Sequence, residues 1–107
     1  MNVYQHIVEI RYKAEGLDPV FEYRFHPTRK WRMDIAFLES KVFIEVQGGI
    51  FIRGRHVRGA SLLKEWEQLN TAAVMGWRCL YCQPRDVYSA EFVRKVKEAV
   101  KRRGYDN

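Results

Sequence analysis

Three short apolar segments follow one another in the first half of the chain, with only a turn between each pair. Val20–Phe25 and Trp31–Leu38 alternate in polarity, and Lys41–Gln47 contains a continuous apolar run. A period of two residues is typical of β-strands. The connections His26–Arg29 and Glu39–Ser40 are too short for a crossover, so the three segments predict an antiparallel meander.

Helical spacing on both sides of this meander predicts the rest of the fold. Its apolar positions are Val3, Ile7, Ile10 and Ala14, then Leu62, Trp66, Leu69 and Ala73, and finally Phe92, Val96 and Val100, with Lys95, Lys97, Lys101, Arg102 and Arg103 facing solvent. Gly16 and Gly76 can end the first two helices. Trp77–Tyr81 returns after a helix, so it should run parallel to the third strand. We expect one α/β domain over residues 1–107: an α-β-β-β-α-β core with a mixed sheet and a C-terminal helix.

The composition indicates a cytoplasmic protein with a polyanionic partner. The formal net charge is +6 and the pI about 9.5, which favours nucleic acid, although a basic surface kept for solubility is the alternative. No apolar run approaches the roughly 18 residues that span a bilayer, so no membrane partner is expected. The start of the chain lacks the pattern of a secretory signal, and two cysteines suit a reducing compartment.

Two carboxylates occupy the interior of neighbouring predicted strands. Asp34 and Glu45 are equally far from the turn at Glu39–Ser40, so they should lie opposite each other. Carboxylates that close repel, and a hard cation such as Mg²⁺ relieves the repulsion. Gln47 points to the same face as Glu45, and the carbonyl of Val46 can add a third oxygen ligand. The alternative is a solvated pair on an open sheet face.

Several segments of the chain form one pattern. They are Trp31-Arg32-Met33-Asp34-Ile35-Ala36-Phe37, Glu45-Val46-Gln47-Gly48-Gly49, Gly54-Arg55-His56-Val57-Arg58-Gly59, Asn70 and Gly76-Trp77-Arg78. Together they resemble the PD-(D/E)XK nuclease superfamily, near the small phage- and prophage-type domains of its mismatch-repair endonuclease-like and VRR-NUC-like branches. The resemblance covers roughly residues 23–78. The resemblance implies a restriction-endonuclease-like fold, with Asp34 and Glu45 as ligands of Mg²⁺ or Mn²⁺ and the cytoplasm of a bacterial host as the location.

Gln47 stands where the superfamily motif has lysine. An amide cannot titrate, so Gln47 can only orient a water or contact phosphate. Another group, with Lys64 and His56 as candidates, must then take the proton, or the metal alone must acidify the water.

Members of this superfamily often use a further glutamate from the first helix in the site, and the resemblance implies such a residue here. Glu9 is the best positional match, and Glu22, on the first strand, is the alternative, while Glu15 lies too near the helix end. In the helix after the meander, the polar residues Ser61, Glu65 and Gln68 either face the site or form a solvated flank.

Basic residues cluster in the glycine-rich segment after the third strand. Arginine binds phosphate in a bidentate manner, and glycine permits close backbone approach. We expect a phosphate contact here, and a solvated loop is the alternative. The candidate DNA-binding residues are Arg32, Arg53, Arg55, His56 and Arg58.

Cys79 and Cys82 form a Cys-x-x-Cys pattern, which invites a zinc interpretation. Positions three apart on a strand point to opposite faces, and no second Cys or His pair completes four ligands. We therefore expect Cys79 to be a core residue and Cys82 to have no role in a site.

The resulting hypothesis is a divalent-metal-dependent DNA endonuclease acting on branched or duplex DNA, with structure-guided or weakly sequence-specific cutting and a homodimer as one arrangement. Two alternatives stay open. One is a catalytically inactive nucleic-acid-binding module with the same fold, and the other is a metal-free RNA-cleaving domain.

Overall fold

The computed structural model describes residues 1–48 and 59–102, and it confirms the α/β order of elements. These residues form three α-helices and four strands. In chain order they are α1 (Val3–Lys13), β1 (Val20–Tyr23), β2 (Met33–Phe37), β3 (Val42–Val46), α2 (Gly59–Val74), β4 (Arg78–Cys82) and α3 (Ala90–Arg102). A short 3₁₀ helix, Pro84–Asp86, precedes α3. Within the described ranges, no helix is both long and apolar enough to cross a membrane.

The strands form one mixed sheet in the order β1-β2-β3-β4. The two hairpin pairs are antiparallel, and β3 and β4 are parallel, as the helical crossover predicted. Ile35 lies opposite Ile44 and Phe37 opposite Val42. This is the register predicted from the turn at Glu39–Ser40, because a tight turn leaves one pairing that buries the apolar residues of both strands.

Both predicted glycine helix ends are confirmed. Gly16, which follows α1, has a φ of 80°, and Gly76, which follows α2, has a φ of 93°. Glycine adopts this left-handed backbone without a Cβ clash, so the chain can turn back toward the sheet. At the other end of α1, Asn2 and Gln5 form a capping box that fixes where the helix begins.

One face of the sheet packs against α1 and α3 and forms the larger apolar core. Its buried residues are Val8, Tyr12, Ile35, Phe37, Val42, Ile44, Val87, Val93 and Val96. The Tyr12 ring packs on Phe37 at 5.8 Å between centroids, and the Tyr12 hydroxyl donates to the carbonyl of Val87. The paired hydroxyl lets this large side chain be fully buried without an unsatisfied polar group.

The opposite face packs against α2 and forms a smaller core. Its buried residues are Phe25, Met33, Ala36, Phe43, Ala72 and Trp77. Cys79 packs on this core and Cys82 on the other, so the predicted opposite orientation of the two thiols is confirmed.

The apolar spacing misses the buried side of α1 and marks that of α2 only in part, where Leu69 packs on the smaller core. Val3, Ile7 and Ile10 are 75%, 48% and 70% exposed, whereas Val8 and Tyr12 are buried. In α2 the buried residue is Ala72 rather than Ala73, and Trp66 is 51% exposed. Both helices carry more apolar residues than one face can bury, so packing against the sheet decided the orientation.

The first hairpin is shorter than predicted. β1 ends at Tyr23 rather than Phe25, and β2 begins at Met33 rather than Trp31. In the connection, the Phe25 and Trp31 rings stack at 6.1 Å, and His26 Nδ1 accepts hydrogen bonds from two backbone N–H groups of the predicted turn. Local aromatic packing therefore replaces strand pairing at this end.

Candidate metal-binding carboxylate site

The two predicted acids lie at the same end of β2 and β3. Continuing the observed register by one residue beyond the Ile35–Ile44 pair places Asp34 opposite Glu45. The backbone N–H of Val46 donates to Asp34 Oδ2 at 2.8 Å. In return, the Asp34 backbone N–H forms a hydrogen bond that lowers the pKa of Glu45. Each carboxylate is thus held by the backbone of the neighbouring strand rather than by its own.

Burial sets the protonation of both groups. It raises the pKa of Asp34, and the hydrogen bond from Val46 opposes that change. It also raises the pKa of Glu45 to about 7, and the Asp34 charge adds to the effect, followed by the charges of Glu65 and Glu22. Desolvation and like charge both disfavour the ionised form. Ionisation of both carboxylates is therefore unfavourable unless a cation neutralises them.

Glu45 Oε2 is buried and has no hydrogen-bond partner within the described residues. An unpaired buried carboxylate oxygen is costly, because the atom has lost water without gaining a donor. A cation that prefers oxygen ligands would satisfy it and relieve the repulsion from Asp34. The donor set thus fits the divalent cation that the resemblance implies.

The third proposed ligand, the carbonyl of Val46, lies where β3 ends. It accepts a hydrogen bond from the Gly48 N–H at 3.2 Å, and the next residue, Gln47, donates its N–H to the Cys82 carbonyl at 2.7 Å. These bonds fix the backbone around Val46 at the rim of the site. Among residues 1–48 and 59–102, no group of three or more His, Cys, Asp or Glu side chains is arranged to hold a metal ion. Any ion held here would thus depend on the two acids, backbone oxygen and water.

The two candidates for the additional glutamate lie in different places. Glu22 lines an open cleft of about 230 Å³ together with Asp34 and the N-terminal residues of α1. Its backbone is left-handed, with a φ of 53°, a strained conformation for a residue with a side chain. Glu9 instead forms an ion pair with Lys13, Oε2 to Nζ 3.3 Å. Of the two, Glu22 is the one placed beside Asp34.

Lys64 and Arg32 are exposed, and the Arg32 carbonyl accepts a hydrogen bond from Gln68 Nε2 at 3.1 Å, which ties α2 to the beginning of β2. Arg53, Arg55, His56 and Arg58 lie outside the described residues. Their predicted phosphate contacts, and the base role considered for His56, remain predictions.

Three side chains near the acids were not assigned to the site from the sequence, or were left undecided there: Glu65, Tyr81 and Tyr4. Gln47 Nε2 approaches Glu65 Oε2 at 3.5 Å, which shows that Glu65 turns toward the site rather than to solvent. Tyr81 pairs with Glu45 across β3 and β4, and burial raises its pKa to about 12, with the charges of Glu45 and Glu65 contributing. The Tyr4 hydroxyl is a second buried atom without a partner in the described ranges, and its pKa is raised to about 12, mainly by burial. Helical spacing from Val8 and Tyr12 could have indicated Tyr4, but no local pattern indicates Tyr81.

A comparison of this chain with protein-family models, curated proteins and solved structures finds no match.

Proposed function

We propose that this protein is a divalent-metal-dependent nuclease that hydrolyses DNA phosphodiester bonds. The observation that carries the proposal is the Asp34–Glu45 pair, two half-buried carboxylates held on adjacent strands. One of them has a buried oxygen that finds no partner among the residues the structure describes. The resemblance of the surrounding segments to the PD-(D/E)XK superfamily supports the same assignment.

Asp34, Glu45 and the Val46 carbonyl are the groups that would hold Mg²⁺, with Mn²⁺ as a substitute. A bound divalent cation neutralises phosphate charge and lowers the pKa of a water. The protein side chains have their own tasks. The backbone bond from Val46 orients Asp34, and Glu22 adds negative charge at the cleft. Arg32, exposed just before β2, would contact a backbone phosphate.

DNA as the substrate is supported by charge. The chain carries 19 Lys and Arg against 13 Asp and Glu, although several acids are concentrated at the proposed site. In this proposal the excess basic residues bind phosphates on either side of the cut. We propose structure-guided or weakly sequence-specific cutting of this DNA. A homodimer is one way to cut both strands.

The test is incubation of the wild-type protein with matched branched and linear DNAs, with Mg²⁺, with Mn²⁺ and with a chelator. Cleavage that needs either metal supports the proposal, and faster cutting of branched DNA supports structure guidance. Glu45→Gln, which keeps the shape of the side chain and removes its charge, is the control for a contaminating nuclease.

A nucleic-acid-binding module without catalysis is the second candidate. Gln47 favours it, because an amide replaces the titratable lysine of the motif. Binding of the same DNAs without cleavage under any metal condition would support this candidate over the nuclease.

A further inference from the structure

The contact between Gln47 and Glu65 is the part of the site that the metal-binding pair leaves unexplained. Glu65 is half-buried on α2, one turn after Leu62 and one turn before Leu69, and all three face inward. Gln47 Nε2 donates to Glu65 Oε2 at 3.5 Å. The bond from Gln68 to the Arg32 carbonyl holds this part of α2 against β2. Glu65 is therefore held beside the acids by the fold.

Glu65 lies close to the two acids without joining them as a third ligand. Its charge contributes to the raised pKa of Glu45, so the two carboxylates are near each other. Yet the acids of the described residues include no group of three that could coordinate one ion. As a carboxylate beside the acids, Glu65 can accept a hydrogen bond from a water at the site without coordinating the cation.

Gln47 and Glu65 can together replace the lysine of the superfamily motif, with one side chain orienting and the other accepting a proton. A carboxylate can accept a proton, and an amide cannot. The Gln47 amide donates to one Glu65 oxygen, which leaves the other oxygen to accept a hydrogen bond from a water. A general base needs this combination of a titratable group and a fixed orientation.

Resting on the nuclease function proposed above, we infer that Glu65 is the general base and that Gln47 is its positioning residue. A water donates a proton to the Glu65 carboxylate while the water oxygen forms a bond to phosphorus. The P–O bond to the leaving oxygen breaks with its electron pair, and that oxygen takes a proton from solvent. Glu65 then releases its own proton to solvent, so atoms and charge balance over one turnover.

The first test compares Glu65→Gln with Glu67→Gln on the same helix. Glu67 is a matched control because its Oε2 pairs with Arg29 Nη1 at 3.2 Å, away from Gln47. We expect Glu65→Gln to slow single-turnover cleavage by about 10²–10⁴-fold, the usual contribution of a general base. Calorimetry with Mg²⁺ alone should give the same affinity for both variants and the wild type.

The second test addresses Gln47 and the proton directly. Gln47→Ala should slow cleavage in the wild-type background and have no further effect in Glu65→Gln, since the amide acts through the carboxylate. Formate added to Glu65→Ala should restore part of the rate by supplying a diffusible base. A purely structural role for either residue would give additive losses and no rescue.

The outcomes separate this inference from the proposed function. Wild-type cleavage that Glu65→Gln leaves unchanged overturns the general base alone, and so does loss of Mg²⁺ binding in Glu65→Gln, which would make Glu65 a ligand. Absence of cleavage by the wild type in both metals overturns the proposed function and the inference together.

Discussion

The two faces of the sheet differ in how their polar and apolar residues are distributed. The face under α1 and α3 holds the larger apolar core, whose residues Val42, Ile44, Val93 and Val96 are at most 1% exposed. The face under α2 combines the smaller core with a group of polar residues where β3 ends. This polar end, beside Asp34, contains Glu45, Gln47 and Glu65.

This contrast separates stability from chemistry on a single strand. Along β3, Ile44 packs into the larger core while its neighbours Phe43 and Glu45 face α2. Burying Ile44 stabilises the fold, whereas half-burying the Glu45 carboxylate costs stability. Burial in the larger core therefore offsets the cost of holding charged groups on the face under α2.

The largest expected effect on stability comes from creating a cavity in the larger core. Ile44→Ala should lower the free energy of unfolding by about 2–5 kcal/mol, because it leaves a cavity among fully buried side chains. Val74→Ala is the control, since Val74 is 87% exposed and should change stability by less than about 0.5 kcal/mol. Urea denaturation measures both. Equal small effects would mean that the two faces do not differ in packing.

Removal of a charge from the polar end should have little effect on stability and a large one on cleavage. Asp34→Asn retains an oxygen that can accept the Val46 N–H, so the fold should persist. Loss of a ligand charge should cut single-turnover cleavage by more than about 100-fold, the upper range for disturbing a residue that only supports a metal ligand. Circular dichroism confirms folding, and unchanged cleavage would refute the ligand role.

The polar end should also make stability depend on pH. Glu45 has a pKa of about 7 in the folded protein against 4.5 for the free side chain, so the folded state keeps a proton that the unfolded state has lost. Metal-free protein should lose stability as pH rises from about 4.5 to about 7. Mg²⁺ should then raise the melting temperature more at pH 8 than at pH 5, where protons compete for the carboxylate.

Melting curves of Glu45→Gln and Glu67→Gln across this pH range test the assignment. Only Glu45→Gln should flatten the pH profile and abolish the Mg²⁺ effect. A profile that Glu45→Gln leaves intact would place the titration elsewhere.

The smallest effect is expected at the two alternative glutamates. Glu9→Gln removes one half of a surface ion pair with Lys13, so stability should change by less than about 0.5 kcal/mol and Mg²⁺ affinity not at all. Glu22→Gln removes a charge from the cleft that contains Asp34 and should weaken Mg²⁺ binding. Calorimetry of Mg²⁺ binding to both variants decides between the two glutamates. A larger loss of affinity in Glu9→Gln than in Glu22→Gln would assign Glu9 to the site instead.

Local features of the sequence were enough to predict the elements and one register. The turn at Glu39–Ser40 placed Asp34 opposite Glu45, because a tight hairpin leaves few pairings and only one buries the apolar residues. Gly16 and Gly76 marked helix ends because their left-handed backbone is a local property. The candidate acids could therefore be named without knowledge of the packing.

Packing alone decided which side of α1 is buried and which residues join the acids, whereas the predicted stripe of α3 is the one that packs on the core. α1 carries two apolar stripes, and the stripe with Val8 and Tyr12 is buried because its residues fit against the sheet, while Ile7 and Ile10 face outward. The contact between Gln47 and Glu65 joins β3 to a helix reached through a long connection, so no spacing along the chain predicts it. Periodicity specifies that a residue belongs to a helix, but the rotation of that helix is a property of its neighbours, and the complete site depends on that rotation.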